Sequence, residues 1–268
     1  MNNKDNIAAL GDELSTLSKL GEDEWVTLPP EFYCSDQVFE LEKERIFRAG
    51  WVCIGRADQV SEPGDYLAID VVDEPLVMVR DSDHRLHVLS NVCRHRWMQV
   101  CSGKGNARAL VCPYHSWTYN LDGCLRAAAM MDDTPGFDPS AVRLAPIRHE
   151  VWQGFVYVNL DGNAEPLAPQ LELPNQVFQC FQLDTWRVAT TIELPEYEWD
   201  WKVMQDNGEC YHHLGAHRNT FEPNFPAQGV ETECGDAYTF QRCPARDSAL
   251  EKGDDGEFYV PSYFSPVS

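Results

Sequence analysis

The chain has 268 residues, 43% hydrophobic and 11% aromatic, enough for one large domain or two ordinary ones with a substantial core. Its net charge of -22 disfavours nucleic acid and anionic membranes as partners. It would favour a basic electron donor or a cationic substrate, although a solvated surface kept soluble by repulsion is the simpler explanation.

Residues 1–34 read as a polar, acidic tail with a turn at Pro29-Pro30. The first eleven residues lack the basic and apolar regions of a signal peptide, and no apolar run has membrane length, which predicts a cytoplasmic protein. Ser35 to Arg48 predicts a helix, with Ser35 at the N-cap and Val38, Phe39, Ile46 and Phe47 as apolar positions. Short strands follow at Trp51–Arg56, Tyr66–Val72, Pro75–Arg80 and Leu86–Leu89, separated by turn chemistry at Pro63-Gly64, Asp73-Glu74 and Asp81-Ser82-Asp83. Val151–Asn159 reads as one further strand closing a small β-domain. Gly162 to Pro174, with three prolines, reads as a linker. Beyond it, Val177–Leu183 reads as helical, Trp186–Leu194 and Tyr197–Trp201 as extended, and Lys202 to Leu214 as a helix. No internal repeat is visible. On a strand, Tyr197, Trp199 and Trp201 would share one face and Glu196, Glu198 and Asp200 the other. Such aromatics suit a quaternary ammonium group by cation–π attraction, or simply a core.

Two constellations carry chemistry. The first is Cys93-x-His95 followed, sixteen residues on, by Cys112-x-x-His115. Two thiolates and two imidazoles suit a [2Fe–2S] cluster with two Cys on one iron and two His on the other, and they also suit one zinc ion. The eight other cysteines, Cys53 and Cys180 among them, read as buried thiols in a reducing compartment. The second constellation is Glu209-Cys210-Tyr211-His212-His213-Leu214-Gly215-Ala216-His217. Non-haem Fe(II) that activates O2 is held by two His and a carboxylate. His213 and His217 are spaced to meet on a straight helix, whereas His212 and His217 need it to loosen, which Gly215 permits.

The segments Cys93-Arg94-His95-Arg96-Trp97 and Cys112-Pro113-Tyr114-His115-Ser116-Trp117 through Gly123 resemble the two cluster loops of Rieske non-haem iron oxygenase large (alpha) subunits. Ser116 replaces the Gly common there. The resemblance extends over about the first 220 residues and implies an α+β fold. Residues 1–48 would belong to the catalytic domain, 49–162 to the Rieske domain, and 163–268 to an incomplete catalytic domain. It further implies that Cys93 and Cys112 bind one iron of the [2Fe–2S] cluster and His95 and His115 the other. Among the later residues it selects Glu209-x-x-His212-x-x-x-x-His217, with His212 and His217 on mononuclear Fe(II). Glu209 would be an electron bridge between subunits of a homotrimer. Trp201-Lys202 also matches, while Asp206 stands where an Asn is usual.

Glu in the context Glu-Cys-Tyr-His is typical of relatives that oxidise quaternary or N-methylated amines such as choline, glycine betaine or carnitine. The implied protein takes electrons, originally from NAD(P)H, from a flavin/iron–sulfur reductase or ferredoxin. It activates O2 and inserts oxygen into a C–H bond of a small-molecule substrate, and on an N-methyl group the product falls apart to give demethylation. The family's third iron ligand is a carboxylate about 100 or more residues beyond the second His, whereas this chain stops 51 residues after His217. Asp236, Asp247, Asp254, Asp255 and Glu257 do not sit in the matching context, so the third ligand is unassigned and the aromatic Phe258–Ser268 reads as part of a sheet. The rival expectations are an electron-transfer subunit with a cluster but no oxygenase iron, and a structural zinc protein.

Overall fold

The computed structural model describes residues 3–21, 24, 26–131, 133–192, 194, 195, 197–209, 214–220, 222–235, 238–242, 244–246, 251, 252, 258 and 259. The chain divides into two compact units, Lys43–Glu193 and the combination of Met1–Glu42 with Leu194–Val267.

The first unit is built on antiparallel strands β1 (Val52–Arg56), β2 (Asp65–Val71), β3 (Glu74–Arg80), β4 (Leu86–Ser90), β5 (Lys104–Asn106), β6 (Leu110–Val111), β7 (Thr118–Tyr119), β8 (Leu125–Ala127), β9 (Arg148–Trp152) and β10 (Phe155–Asn159). They form three sheets, in the orders β4-β3-β2-β5, β1-β10-β9 and β6-β7-β8. Strand β3 explains the layering. Its run Leu76-Val77-Met78-Val79 is buried throughout, and alternate residues of a strand face opposite ways. Leu76 and Met78 join Val60, Val71, Val88, Val156 and Val158 in one core, against β1 and β10. Val77 and Val79 join Leu89, Leu110, Tyr119 and Leu144 in a second core, which also contains Cys93 and Cys112. One strand therefore serves two cores, and the second is the floor of the thiol-bearing loops.

Four expectations for this unit need correction. Val151–Asn159 is a hairpin, β9 and β10, because Gln153 (φ 48°) and Gly154 (φ 84°) make the left-handed pair of a two-residue turn. The stretch from Gly162 to Pro174 contains helices α4 (Leu167–Gln170) and α5 (Glu172–Phe178), where Pro169 and Pro174 fall within the first turn and need no N–H partner. Residues 186–192 form no strand. Arg56 donates from Nη2 to the carbonyls of Leu183 and Trp186, both at 2.9 Å, and Asp58 accepts the Val188 N–H at 2.8 Å. Those bonds tie up the backbone that a ladder would need. Cys180 is exposed rather than buried, while Cys53 is partly buried and its thiol is pushed up by burial.

The second unit holds α1 (Asn3–Leu17), α2 (Glu31–Cys34), α3 (Asp36–Glu42), α6 (Lys202–Glu209), α7 (Leu214–His217) and the hairpins β11–β12 (Glu231–Cys234, Thr239–Arg242) and β13–β14 (Glu251–Lys252, Phe258–Tyr259). The expected tail is thus partly helical, since Leu10 finds a tertiary partner in a small core with Phe32 and Val38. The helix expected from Ser35 to Arg48 is α-helical only to Glu42 and continues as a π-helical turn, Lys43–Arg48, and Phe39 and Ile46 are exposed. Tyr197–Trp201 is not a strand either. Residues 198 and 199 bend, and the Asp200 carboxylate accepts the Lys202 N–H at 2.9 Å, opening α6 as a cap. Lys202 is buried with its Nζ 2.7 Å from Glu42 and 2.6 Å from Asp200, and the Trp201 indole N–H donates to Glu42 at 3.0 Å. The Tyr33 hydroxyl donates to Asp206 at 2.6 Å, giving the unusual Asp a partner. Helix α6 is therefore anchored at its first residue by α3 and at its middle by α2. Residues 210–213 and 260–268 lie outside the described residues, so the helix expected to Leu214 and the sheet expected through Ser268 are described only in part. The fold class is α+β.

Asp81 pins the β3–β4 turn. Its carboxylate accepts the N–H groups of Asp83 (2.9 Å) and Arg85 (2.8 Å) and meets His87 Nε2 at 2.8 Å. Burial raises its pKa, but these partners outweigh burial and hold it below the usual carboxylate range. A depressed folded value contributes stability above the unfolded value of about 3.9, and that stability is lost as pH falls through the folded value. Asp81→Asn is expected to cost about 1–2 kcal/mol at pH 7 in urea unfolding. The variant should also lose less stability than the parent between about pH 5 and pH 3.

Candidate metal centre

Two loops carry the first constellation, residues 93–98 and 112–117. They share one backbone frame although their residues differ. Cys93 N–H donates to the Met98 carbonyl at 2.8 Å and Trp97 N–H to the Cys93 carbonyl at 3.0 Å. In the second loop Cys112 N–H donates to the Trp117 carbonyl at 2.8 Å and Ser116 N–H to the Cys112 carbonyl at 3.0 Å. The fifth residue of each is left-handed, Trp97 at φ 52° and Ser116 at φ 57°. So a structural repeat exists where the sequence shows none. A left-handed conformation costs a non-glycine residue about 1–2 kcal/mol, so the frame is imposed from outside the loop. Asn91 supplies part of that force. It is fully buried, accepts the Cys101 N–H at 2.9 Å and donates to the Cys101 carbonyl at 2.8 Å, closing the first loop. Gly123 (φ 89°) turns the chain behind the second loop, where a Cβ would stand 3.1 Å from Leu89 and from the Leu144 carbonyl.

The four donors converge in pairs. Cys93 and Cys112 are 1% and 2% exposed within the apolar core, whereas His95 is half-buried and His115 exposed. The two imidazoles meet edge to face, centroids 4.7 Å apart at 70°. Burial pushes the Cys112 thiol up, the neighbouring Cys93 thiol adds to this, and the N–H groups of Tyr114 and His115 oppose it. Burial lowers the His95 pKa, with the His115 and Arg96 charges acting in the same direction. The buried Tyr119 hydroxyl lies 3.3 Å from Cys93 Sγ and accepts the Arg94 N–H at 3.0 Å. Thiol beside thiol inside, and ring beside ring at the rim, fits a two-iron cluster ligated in unlike pairs.

Charge is concentrated here too. Residues 91–131 hold five Lys or Arg (Arg94, Arg96, Lys104, Arg108 and Arg126) against one Asp, a basic island in a chain of net charge -22. All five cations are exposed.

A profile of the Rieske [2Fe-2S] domain matches residues 50–138. The carnitine monooxygenase oxygenase subunit of Acinetobacter pittii is 38% identical over 215 residues, covering 76% of this chain and 57% of that protein. The chain contains a Rieske [2Fe-2S] domain and is similar to Rieske oxygenase alpha subunits. The corresponding carnitine monooxygenase subunit of Escherichia coli K12 is 33% identical over 242 residues, covering 87% of this chain and 64% of that one. A solved quaternary ammonium Rieske monooxygenase superposes with a TM-score of 0.75 at 34% identity, covering 82% of this chain and 61% of that structure. The chain thus spans about three fifths of the length of these relatives.

The second constellation is described only at its edges. Glu209 ends α6, and His217 ends α7 with Nδ1 3.3 Å from the Thr220 hydroxyl. His212 and His213 lie outside the described residues, as do Asp236, Asp247, Asp254, Asp255 and Glu257. The sequence reading missed Asn91 and the hydroxyl of Tyr119. Tyr119 stands inside the quoted motif, but nothing in its spacing marks its reach to Cys93. Tyr119→Phe is expected to cost about 1 kcal/mol, read as a lower urea midpoint with unchanged slope, because the Arg94 N–H loses its acceptor.

Proposed function

We propose that this chain serves in a Rieske-type oxygenase acting on a quaternary or N-methylated amine. Cys93, His95, Cys112 and His115 would hold its [2Fe–2S] cluster, and His212 and His217 a mononuclear Fe(II). The observation that carries the first half is the sorting of the four donors into a buried thiol pair and a rim imidazole pair. The substrate class is supported by relatives named as carnitine and glycine betaine monooxygenase subunits, together with Glu209 in its Glu-Cys-Tyr-His context. When bound, the two centres supply electron storage and oxygen chemistry.

The chain's own residues supply the setting. Tyr114 N–H, His115 N–H and the Tyr119 hydroxyl are aimed at the sulfur atoms, where they stabilise negative charge. Arg96 lies near enough to act on His95, and with Arg94 it favours the state carrying one more electron. Burial of both thiols keeps water from the inner side. Electrons would come from NAD(P)H by way of a flavin/iron–sulfur reductase or ferredoxin. Glu209 is assigned as the carboxylate that joins a cluster histidine of one copy to an iron histidine of the next in a homotrimer.

Single-turnover oxidation of the pre-reduced protein tests this reading. With O2 present, carnitine, glycine betaine or choline should speed the loss of the reduced-cluster signal relative to buffer, and Glu209→Gln should slow it without changing iron content. Equal rates with and without every amine would sink the substrate class. An unchanged rate in Glu209→Gln would sink the bridge.

A further inference from the structure

The Trp117 indole is not explained by ligation, yet it touches both loops. Its backbone carbonyl accepts the Cys112 N–H at 2.8 Å, which closes the second loop around one thiol. Its ring stacks on the imidazole of His95, in the first loop, with centroids 4.7 Å apart and planes only 6° from parallel. Trp117 is 5% exposed, and Phe137 packs on it with centroids 5.6 Å apart. The indole is therefore a fixed surface rather than a loose neighbour. At the equivalent place in the shared frame, the first loop carries Met98, which is exposed and flexible. The frame does not need a buried aromatic there.

We infer that Trp117 is a positioning residue: the face of its indole fixes the plane of the His95 imidazole, and so the direction of that ligand's nitrogen, before the cluster is bound. The inference rests on the assignment of His95 as a cluster ligand. An imidazole on Cβ has one broad torsion that ring contacts must settle. Here the indole fixes one face of the ring, and the edge-to-face contact with His115 fixes its direction within that plane. Offset stacking of this kind is worth about 0.5–1.5 kcal/mol, enough to select one ring orientation over its rivals by several-fold. His115 has a different neighbour, Tyr114, at 3.8 Å and 35°, and that ring is exposed. The two histidines are therefore held unequally, and His95 is the one with a rigid support.

The test is EPR and pulsed EPR of the reduced, cluster-loaded protein in the parent, Trp117→Leu and Trp117→Phe. The parent should show the signal of a cluster with two imidazole nitrogen couplings. Trp117→Leu should keep these ligands but shift the g-values and change one of the two nitrogen couplings. Trp117→Phe keeps a stackable ring and should return both toward the parent. Spectra of Trp117→Leu that superpose on the parent at full cluster content would overturn the inference. So would loss of the cluster in both variants, because a ring at this position would then not suffice. A parent lacking any such signal would instead overturn the ligand assignment itself, so the two failures are distinct.

Discussion

Two sulfur atoms buried in an apolar core are the constraint around which the first unit is arranged. Cys93 and Cys112 lie on the face of β3 that Val77 and Val79 present, and the same strand's Leu76 and Met78 face the other core. Thiolates in such a place are costly unless something holds their charge. The loops provide N–H groups at Cys112 and a tyrosine hydroxyl at Cys93. The left-handed residues at Trp97 and Ser116 are part of the same arrangement, since backbone strain is accepted to bend each loop over its sulfur. At Trp97 the cost falls on a large side chain that is 80% exposed.

The donors and the strands around them were legible in the sequence for simple reasons. β1 to β4 are short, rich in branched residues and bounded by Pro-Gly and Asp-rich turns, so their limits match to within a residue. Cys93, His95, Cys112 and His115 are rare residues at fixed spacing. What failed depended on distant partners. The polar N-terminal segment is helical because Leu10 meets Phe32 and Val38, and no local pattern reveals that. The bend before α6 follows from Asp200 and Lys202 closing on each other and on Glu42, 158 positions from Asp200 by number. Gln153-Gly154 was a readable turn, overlooked because apolar residues flank it on both sides.

Charge teaches a related lesson. A total of -22 invites a basic partner, yet the loops sit in a cationic island. The sum describes the whole surface, whereas encounter with another protein is governed by the local patch. Arg96, one of the two arginines that flank His95, also lowers the pKa of that imidazole, after burial and the His115 charge. Helix α6 is likewise anchored by distant partners, Glu42 at Lys202 and Tyr33 at Asp206.

The most direct test is metal and sulfide analysis of anaerobically purified protein with EPR of the dithionite-reduced sample. The account predicts at least two irons and two acid-labile sulfides per chain, with the signal of a cluster bearing two imidazoles. A third iron would mark an occupied mononuclear site. One zinc per chain, with no iron and no EPR signal, would contradict the central claim that the paired thiols and imidazoles hold a [2Fe–2S] cluster.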